Sequence, residues 1–535
     1  LALIAASAVL QILLFPLGDP DNLVLGVFQW FAGPLSWIAL VPFLVAILLP
    51  NRSGRQHTLR ESFALGYVCG ILWYAGNCYW IYQTMYLYGG LPKPVAFGIL
   101  ILFALYLGLY HALFAVGLNC VSRSRFGVVG ALAAAPFLWV TIELARSRIT
   151  GFPWDLLGNC QIDNLFLTRI APYAGVMGIS FFLVAVNAAV TSYFFVRGKK
   201  RFAIPITVFL LVAFLQLEMY SGSFKSLQEP VGQTAIMLQE NLEVGALAKS
   251  QQHLRPEEEL STFASDTLHP YVAEPFSGVY DWNDKVPSPI PAVLIWPEAP
   301  SHLQSNDPAF RAAISDLART AHAPAIVGSL GVDFSPASDR GYFLYDSASL
   351  FDAAGTYTGR YDKVHLVPWG EYIPFKQFFA FARKLTEGVG DMDRGSERSV
   401  FTTAGRSYGI FICYESIFGD EVRQFALNGA QVFVNISDDG WYGDTGAPWQ
   451  HLNMTRMRAI ENDRWILLDT NTGITTAIDP HGHTRFQAPR HTRAAYAFPF
   501  AFRSGTTFYT RHGDWFAWLC FGVTLLTLSI TLGRP

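Results

Sequence analysis

Apolar positions fall into two regimes along the chain. As far as Tyr220 they form long runs separated by short polar loops: Leu1–Leu17, Leu23–Leu49, Phe63–Tyr86, Val95–Val121, Val128–Leu144, Tyr173–Val196 and Ile204–Tyr220. One more, Trp515–Leu532, closes the sequence. Each run is near or above the ~18–20 residues that a helix needs to cross a bilayer. The pattern predicts a polytopic α-helical membrane domain with about eight transmembrane helices. Between the last two runs the apolar stretches shorten to strand length: Thr234–Leu238, Ala292–Trp296, Ala325–Ser329, Ser347–Phe351, Gly409–Cys413, Gln431–Ile436 and Trp465–Asp469. Helical patterns at Pro308–Ala321 and Gly446–Arg464 alternate with them, which predicts an α/β sheet domain covered by helices. The expected division is 1–222 for seven transmembrane helices, 223–504 for the α/β domain and 505–535 for a C-terminal transmembrane helix.

Composition sharpens this reading. Hydrophobic residues make up 51% and charged residues 15%, against roughly 25% charged in soluble domains. A net charge of -3 without a basic face argues against nucleic acid as a partner. Six cysteines occur without a CxxC pair or a Cys/His cluster, so neither a disulfide framework nor a metal site is expected. A signal-peptide core is the alternative reading of the first run, since Ala5-Ala6-Ser7-Ala8 resembles a cleavage site. No basic stretch precedes it and the chain opens without Met, so a membrane span is the expectation.

Loop charges orient the spans. Arg52, Arg55 and Arg60, then Arg123 and Arg125, then Arg197, Lys199, Lys200 and Arg201 occupy alternate loops. The positive-inside rule puts these loops and both termini in the cytoplasm and the α/β domain outside. Trp73, Tyr74, Tyr79 and Trp80 suit an aromatic belt at headgroup level. Arg146 and Arg148 break the charge pattern, beside Gly151-Phe152-Pro153-Trp154. They either meet phosphate headgroups, the reading preferred here, or cap a span end.

Three polar residues follow or interrupt strand-like runs in the α/β domain. Cys413 ends Tyr408-Gly409-Ile410-Phe411-Ile412, Glu298 follows Ala292–Trp296 and Pro297, and Lys363 lies within Gly359–Pro368. Taken alone, Cys413 reads as well as a buried core residue as it does as a nucleophile. Acyl transfer through a thiol needs a base and a cation or donors for the oxyanion, and Glu, Lys and Cys supply those parts. A carboxylate at an apolar strand end is expected to have a raised pKa, suited to moving a proton near neutrality. The competing reading makes Glu298 and Lys363 a structural ion pair.

Trp296-Pro297-Glu298, Tyr361-Asp362-Lys363 with His365-Leu366-Val367-Pro368, and Cys413-Tyr414-Glu415 resemble the three signatures of the nitrilase (carbon–nitrogen hydrolase) superfamily. Together with the membrane spans, the whole chain resembles the apolipoprotein N-acyltransferase branch of bacterial inner membranes. Gly151-Phe152-Pro153-Trp154, Gly370–Pro374, Gln450–Ala459 and Thr470–Thr475 extend the match. The resemblance implies a nitrilase-type αββα sandwich facing the periplasm, with Cys413 as nucleophile, Glu298 as general base and Lys363 as oxyanion-stabilising cation. It implies that Glu371 orients these groups. Tyr414 and Glu415 would lie beside the nucleophile and Trp441 on a loop near the cleft, where substrate contact and simple packing are equal readings. The implied reaction takes a fatty acyl chain from a membrane phospholipid, holds it as a Cys413 thioester, and passes it to the α-amino group of a diacylglyceryl-cysteine on an apolipoprotein. No metal or organic cofactor is required.

Trp369–Phe381, with Phe375, Phe378, Phe379 and Phe381, is the expected apolar lid or interfacial helix. Residues 241–252 lack the tryptophan usual in the family, so a substrate contact there is not carried over. Two rival functions fit parts of the chain. A membrane-tethered amidase or nitrilase would use the same triad with water as acceptor. A transporter or scaffold would draw on ionisable residues in spans, for which Glu143 and Glu218 are the candidates.

Overall fold

A computed structural model describes residues 1–51, 54–196, 231–245, 255–272, 291–298, 303–368, 370–372 and 391–533, with isolated positions between 198 and 214. The α/β part contains two sheets. The first has seven strands in the order β2-β13-β1-β3-β4-β5-β6, formed by β1 (Gln233–Gln239), β2 (Tyr271–Val272), β3 (Val293–Trp296), β4 (Ala325–Phe334), β5 (Tyr342–Phe351), β6 (Tyr357–Asp362) and β13 (Ala494–Phe500). The second has six in the order β12-β11-β10-β9-β8-β7, formed by β7 (Val400–Thr403), β8 (Arg406–Ile412), β9 (Val432–Ser437), β10 (Ile466–Thr470), β11 (Thr476–Ile478) and β12 (Thr484–Gln487). All seven strand stretches expected from the sequence fall in strands, and the helices form at Pro308–Ala321 and Ala447–Asn462.

Side-chain alternation explains the layering. In β1 and β3, Ala235, Met237, Val293 and Ile295 join the core between the sheets, which also holds Ile410, Ile412, Val434 and Ile436. Their neighbours Ile236, Leu238, Leu294 and Trp296 point the other way, onto Leu260, Phe263, Phe310 and Ile314 of helices Pro256–Leu268 and Pro308–Ala321. Both faces of these strands are therefore buried, which accounts for their near-continuous apolar sequence. Helices Gly419–Leu427 and Ala447–Asn462 carry the parallel crossovers β8 to β9 and β9 to β10 in the second sheet. The layers are the αββα arrangement of a nitrilase-type domain.

In the first 200 residues, helix Lys93–Arg123 lies along Leu59–Asn77 at close range. A Cβ on Gly66 would sit 2.6 Å from the His111 carbonyl oxygen, and one on Gly70 2.8 Å from Gly108 Cα. Small residues let these backbones approach as apolar surroundings require. Among the described residues four helices are long and apolar enough to cross a membrane: Lys93–Arg123, Gly127–Thr150, Leu167–Phe194 and Trp515–Leu532. Val24–Ser36 and Val41–Leu48, bent by 48°, make a fifth if the pair counts as one span. The first expected span contains an apolar helix of 11 residues, Ala2–Ile12. The third is broken into Leu59–Asn77, Trp80–Gln83 and Thr84–Tyr88. Most of the seventh, Ile204–Tyr220 with Glu218, lies outside the described residues, as do Arg52, Arg197, Lys199 and Lys200.

Arg146 and Arg148 do not behave as headgroup ligands. Arg146 is buried, donates to the Tyr74 hydroxyl at 3.1 Å and lies over the Trp73 and Tyr74 rings. Arg148 pairs with Asp420 and, at 2.5 Å, with Asp514. Glu143, a candidate for transport, is likewise engaged: it accepts from Trp139 Nε1 at 3.1 Å and from the Leu157 amide at 2.8 Å.

Candidate active site

The site forms where parallel strands end, the usual place for chemistry in α/β sheets. β8 stops at Ile412, and Cys413 follows with φ of 50°. This left-handed conformation is costly for a residue with a Cβ, and such strain concentrates at functional positions. It turns the chain sharply into the 3-10 helix Cys413–Ile417. The Cys413 carbonyl accepts from His451 Nε2 at 3.2 Å and Asn435 Nδ2 at 3.5 Å, which clamps the turn. The thiol is buried. Burial, followed by the charge of Glu298, pushes its pKa well up, so at rest it is a protonated thiol that needs a base.

Facing it from the seven-stranded sheet is Lys363, fully buried just after β6. Its Nζ donates to Glu298 Oε1 at 2.8 Å, Asp346 Oδ2 at 2.9 Å and Glu371 Oε1 at 2.5 Å. Burial alone would lower the Lys363 pKa; Asp346, Glu298 and Glu371 outweigh it and hold the group charged. Glu298 follows the end of β3 and its Oε2 accepts from the Asp438 amide at 2.7 Å. The expectation of a raised Glu298 pKa is corrected here. Burial does push it up, but the Lys363 ammonium and hydrogen bonds from Asp346, Lys363 and the Asp438 amide prevail and lower it. Glu298 is therefore an ionised carboxylate at neutral pH, able to accept a proton. Glu371 goes the other way: burial raises it, the Lys363 charge only partly offsets this, and Glu298 adds to the rise.

Glu298, Asp346 and Glu371 bring one carboxylate oxygen each to within 4.8 Å of one another, a spacing that could hold a metal ion. The cation these three oxygens meet is the Lys363 ammonium, which donates to every one of them. The position between the three oxygens is thus already taken by the chain's own ammonium.

The remaining expected residues divide clearly. Glu415 is buried and its oxygens accept from the amides of Val364 at 2.7 Å, His365 at 2.9 Å and Ile412 at 2.7 Å, and from the Tyr361 hydroxyl. It fastens the Lys363 loop to β8. The Tyr414 hydroxyl donates to the Gly151 carbonyl at 3.1 Å, joining the Cys413 turn to the membrane-side loop. Trp441 packs on Gly245, and its carbonyl accepts from Thr84 Oγ1 at 2.9 Å. For its buried neighbour Tyr442, burial first and then the Cys413 charge push the hydroxyl pKa well up. Of the expected lid, Gly370–Tyr372 alone are described, and residues 246–252 also lie outside the described residues.

Sequence reasoning missed Asp346 and His451. His451 is buried, with Nδ1 3.0 Å from Asp439 Oδ1 and Nε2 2.7 Å from Ser416 Oγ. Burial would lower its pKa; Asp439 more than offsets this and raises it. The imidazole holds the strained Cys413 backbone from behind. A buried His inside an otherwise helical run was the only available signal.

Known proteins with related sequences cover both halves. Residues 22–189 match the family model described as apolipoprotein N-acyltransferase N-terminal domain, and residues 280–500 match carbon-nitrogen hydrolase. An apolipoprotein N-acyltransferase of Geobacter metallireducens is 34% identical over 94% of this chain and 91% of its own. One of Methylococcus capsulatus is 30% identical over 92% and 91%. A solved amidase structure from Nesterenkonia sp. covers 54% of this chain and 95% of its own, at 16% identity and a TM-score of 0.35.

Proposed function

The chain belongs to the apolipoprotein N-acyltransferase family, and from that premise we propose a two-step transfer through a Cys413 thioester, with a phospholipid as acyl donor. It is an acyltransferase of a bacterial membrane. In the first step Glu298 takes the thiol proton as the sulfur attacks an ester carbonyl. Lys363 stabilises the tetrahedral oxyanion. The ester C–O bond breaks, and the proton on Glu298 passes to the leaving lysophospholipid oxygen. In the second step Glu298 removes a proton from the α-amine of a diacylglyceryl-cysteine on a lipoprotein. The nitrogen attacks the thioester, the C–S bond breaks and the proton returns to sulfur. Glu371 holds Lys363 in place throughout.

The observation that carries this reading is the left-handed Cys413 at the end of β8, facing an ionised Glu298 bound to a buried ammonium. In the same reading residues 1–222 and 505–535 anchor the protein in the inner membrane with both termini in the cytoplasm. Residues 223–504 face the periplasm, and anchoring brings two lipid-bound substrates to one cleft. The test is the mass of the Cys413 peptide after the detergent-purified protein meets phospholipid without acceptor. A hydroxylamine-labile acyl adduct is expected, absent in Cys413→Ala and cleared by a diacylated lipopeptide. Clearance by water at the same rate would make the protein a hydrolase, and an unmodified Cys413 in folded protein would end the phospholipid-donor reading.

A further inference from the structure

Asp346 lies on β5, opposite the start of the Lys363 loop, and its place there is fixed by the sheet. Ser347 pairs with Asp362 across β5 and β6, and the Lys363 amide donates to the Asp346 carbonyl at 2.9 Å. The same two residues meet again through their side chains at 2.9 Å. Lys363 is thereby tied to Asp346 at both backbone and side chain. Neither Glu298 nor Glu371 holds it in this double way.

Charge counting makes Asp346 more than a tether. Three buried carboxylates, Glu298, Asp346 and Glu371, converge on one ammonium, and Cys413 faces the same ammonium from the other sheet. Three anions against one cation in a dry site are strongly unfavourable, so protons are retained among them. The Asp346 and Glu298 carboxyls sit side by side on that ammonium, with oxygens within 4.8 Å of one another. Two carboxyls that close in a buried site are favoured when one of them carries a proton. Glu298 has the Asp438 amide as a further donor to an ionised form. The proton accordingly belongs on Asp346.

We propose that Asp346 is a positioning residue of the site: a neutral carboxylic acid that accepts from Lys363 through one oxygen and donates to Glu298 through its own proton, keeping Glu298 ionised as the base. Burial, and beyond it the Glu298 and Glu371 charges, push the Asp346 pKa well above the carboxylate range even against Lys363. The groups facing it are Lys363 from β6, Glu298 from β3 and Glu371 from the 370–372 loop. As pH rises through that raised value the proton leaves. A second anion then stands against Glu298, and formation of the thiolate is opposed. The sign is a loss of acyl-enzyme formation on the alkaline side.

The inference rests on the thioester reading for its kinetic test but not for its spectroscopic one. Asp346→Ala should lose about a hundredfold or more in acyl-enzyme formation, the scale of a disturbed proton-transfer partner. Asp346→Asn, which can still accept from Lys363 and donate to Glu298, should recover most of that loss. Because Asn cannot ionise, its alkaline fall-off should shift to higher pH. Infrared difference spectra of the purified full chain, wild type minus Asp346→Asn, should show a protonated-carboxyl stretch at neutral pH without any substrate. If Asp346→Asn is as impaired as Asp346→Ala, or keeps the wild-type alkaline limb, or if the stretch is missing, the proposal is overturned. A stretch present in a protein that forms no acyl-enzyme would instead remove the thioester reading and leave the neutral acid standing.

Discussion

Lys363 sits among three carboxylates, whereas Arg458, also buried, faces one. Arg458 Nε lies 2.8 Å from Glu461 Oε2, and a second guanidinium nitrogen donates to the Ile417 carbonyl at 3.1 Å. Glu461 also accepts from the Val176 amide at 2.9 Å, just past Gly175, where a left-handed φ of 65° breaks helix Ala171–Thr191. That pair is one carboxyl against one guanidinium, and it joins helix Ala447–Asn462 to a membrane helix. The Lys363 cluster is over-acidic, three carboxyls on one ammonium. A single carboxyl held by a guanidinium and a backbone amide ties two elements together, which makes it a fastener. A cluster with surplus carboxylates must keep protons, and protons that are kept can be moved.

The contrast can be broken most severely at Lys363. Lys363→Met leaves three carboxylates without their cation, so acyl-enzyme formation should fall to background. Stability should drop by about 3–5 kcal/mol, the cost of orphaning buried charge. Mass analysis of Cys413 and chemical denaturation read the two effects, and a thioester formed at the wild-type rate would make the cluster merely structural. Arg458→Leu should cost a similar or slightly smaller stability, about 3 kcal/mol, since it also orphans a buried carboxylate. Here, however, acyl transfer per folded molecule at low temperature should stay within a few-fold of wild type. A loss of chemistry matching that of Lys363→Met would erase the distinction between fastener and proton-bearing cluster.

The smallest effect is expected from Glu461→Gln, and it appears in pH dependence. Burial pushes Glu461 from 4.5 up to about 7, despite Arg458. The folded state therefore binds this proton more tightly than the unfolded one. Its contribution to stability is complete below 4.5 and is lost as pH rises through about 7. Gln can still accept from the Val176 amide but cannot titrate. Thermal unfolding of Glu461→Gln should consequently lose part of the wild-type decline across that window. An unchanged decline would place the titrating group elsewhere.

Much of the site was legible because its parts end strands. Cys413 and Glu298 each follow an apolar run of strand length, and Lys363 interrupts one, so a polar residue stands out at each position. Asp346 does not stand out. It lies inside Tyr342–Phe351, in phase with Ala348 and Leu350 on the core face, and no partner for its charge is visible in the local sequence. Only the pairing of β5 with β6 brings it to Lys363. The direction of the Glu298 shift was illegible for the same reason, since burial can be guessed from a strand but the arrival of an ammonium 65 residues away in sequence cannot. In the membrane half, hydropathy located the helices Lys93–Arg123, Gly127–Thr150, Leu167–Phe194 and Trp515–Leu532. It could not show that Arg146 turns inward to Tyr74, or that Arg148 is committed to two aspartates, because those partners are remote in the chain.

The bond from the Tyr414 hydroxyl to the Gly151 carbonyl has a mechanical meaning. Gly151 ends the helical segment Gly127–Thr150, and three residues later Trp154 donates to Gln450 at 2.8 Å and stacks on His451, which itself grips the Cys413 carbonyl. The backbone that carries the sulfur is thus pinned to the helix end at two points on either side of one short loop. In the proposed reaction the acyl chain is therefore brought to a thiol whose backbone is held at a fixed place relative to that helix.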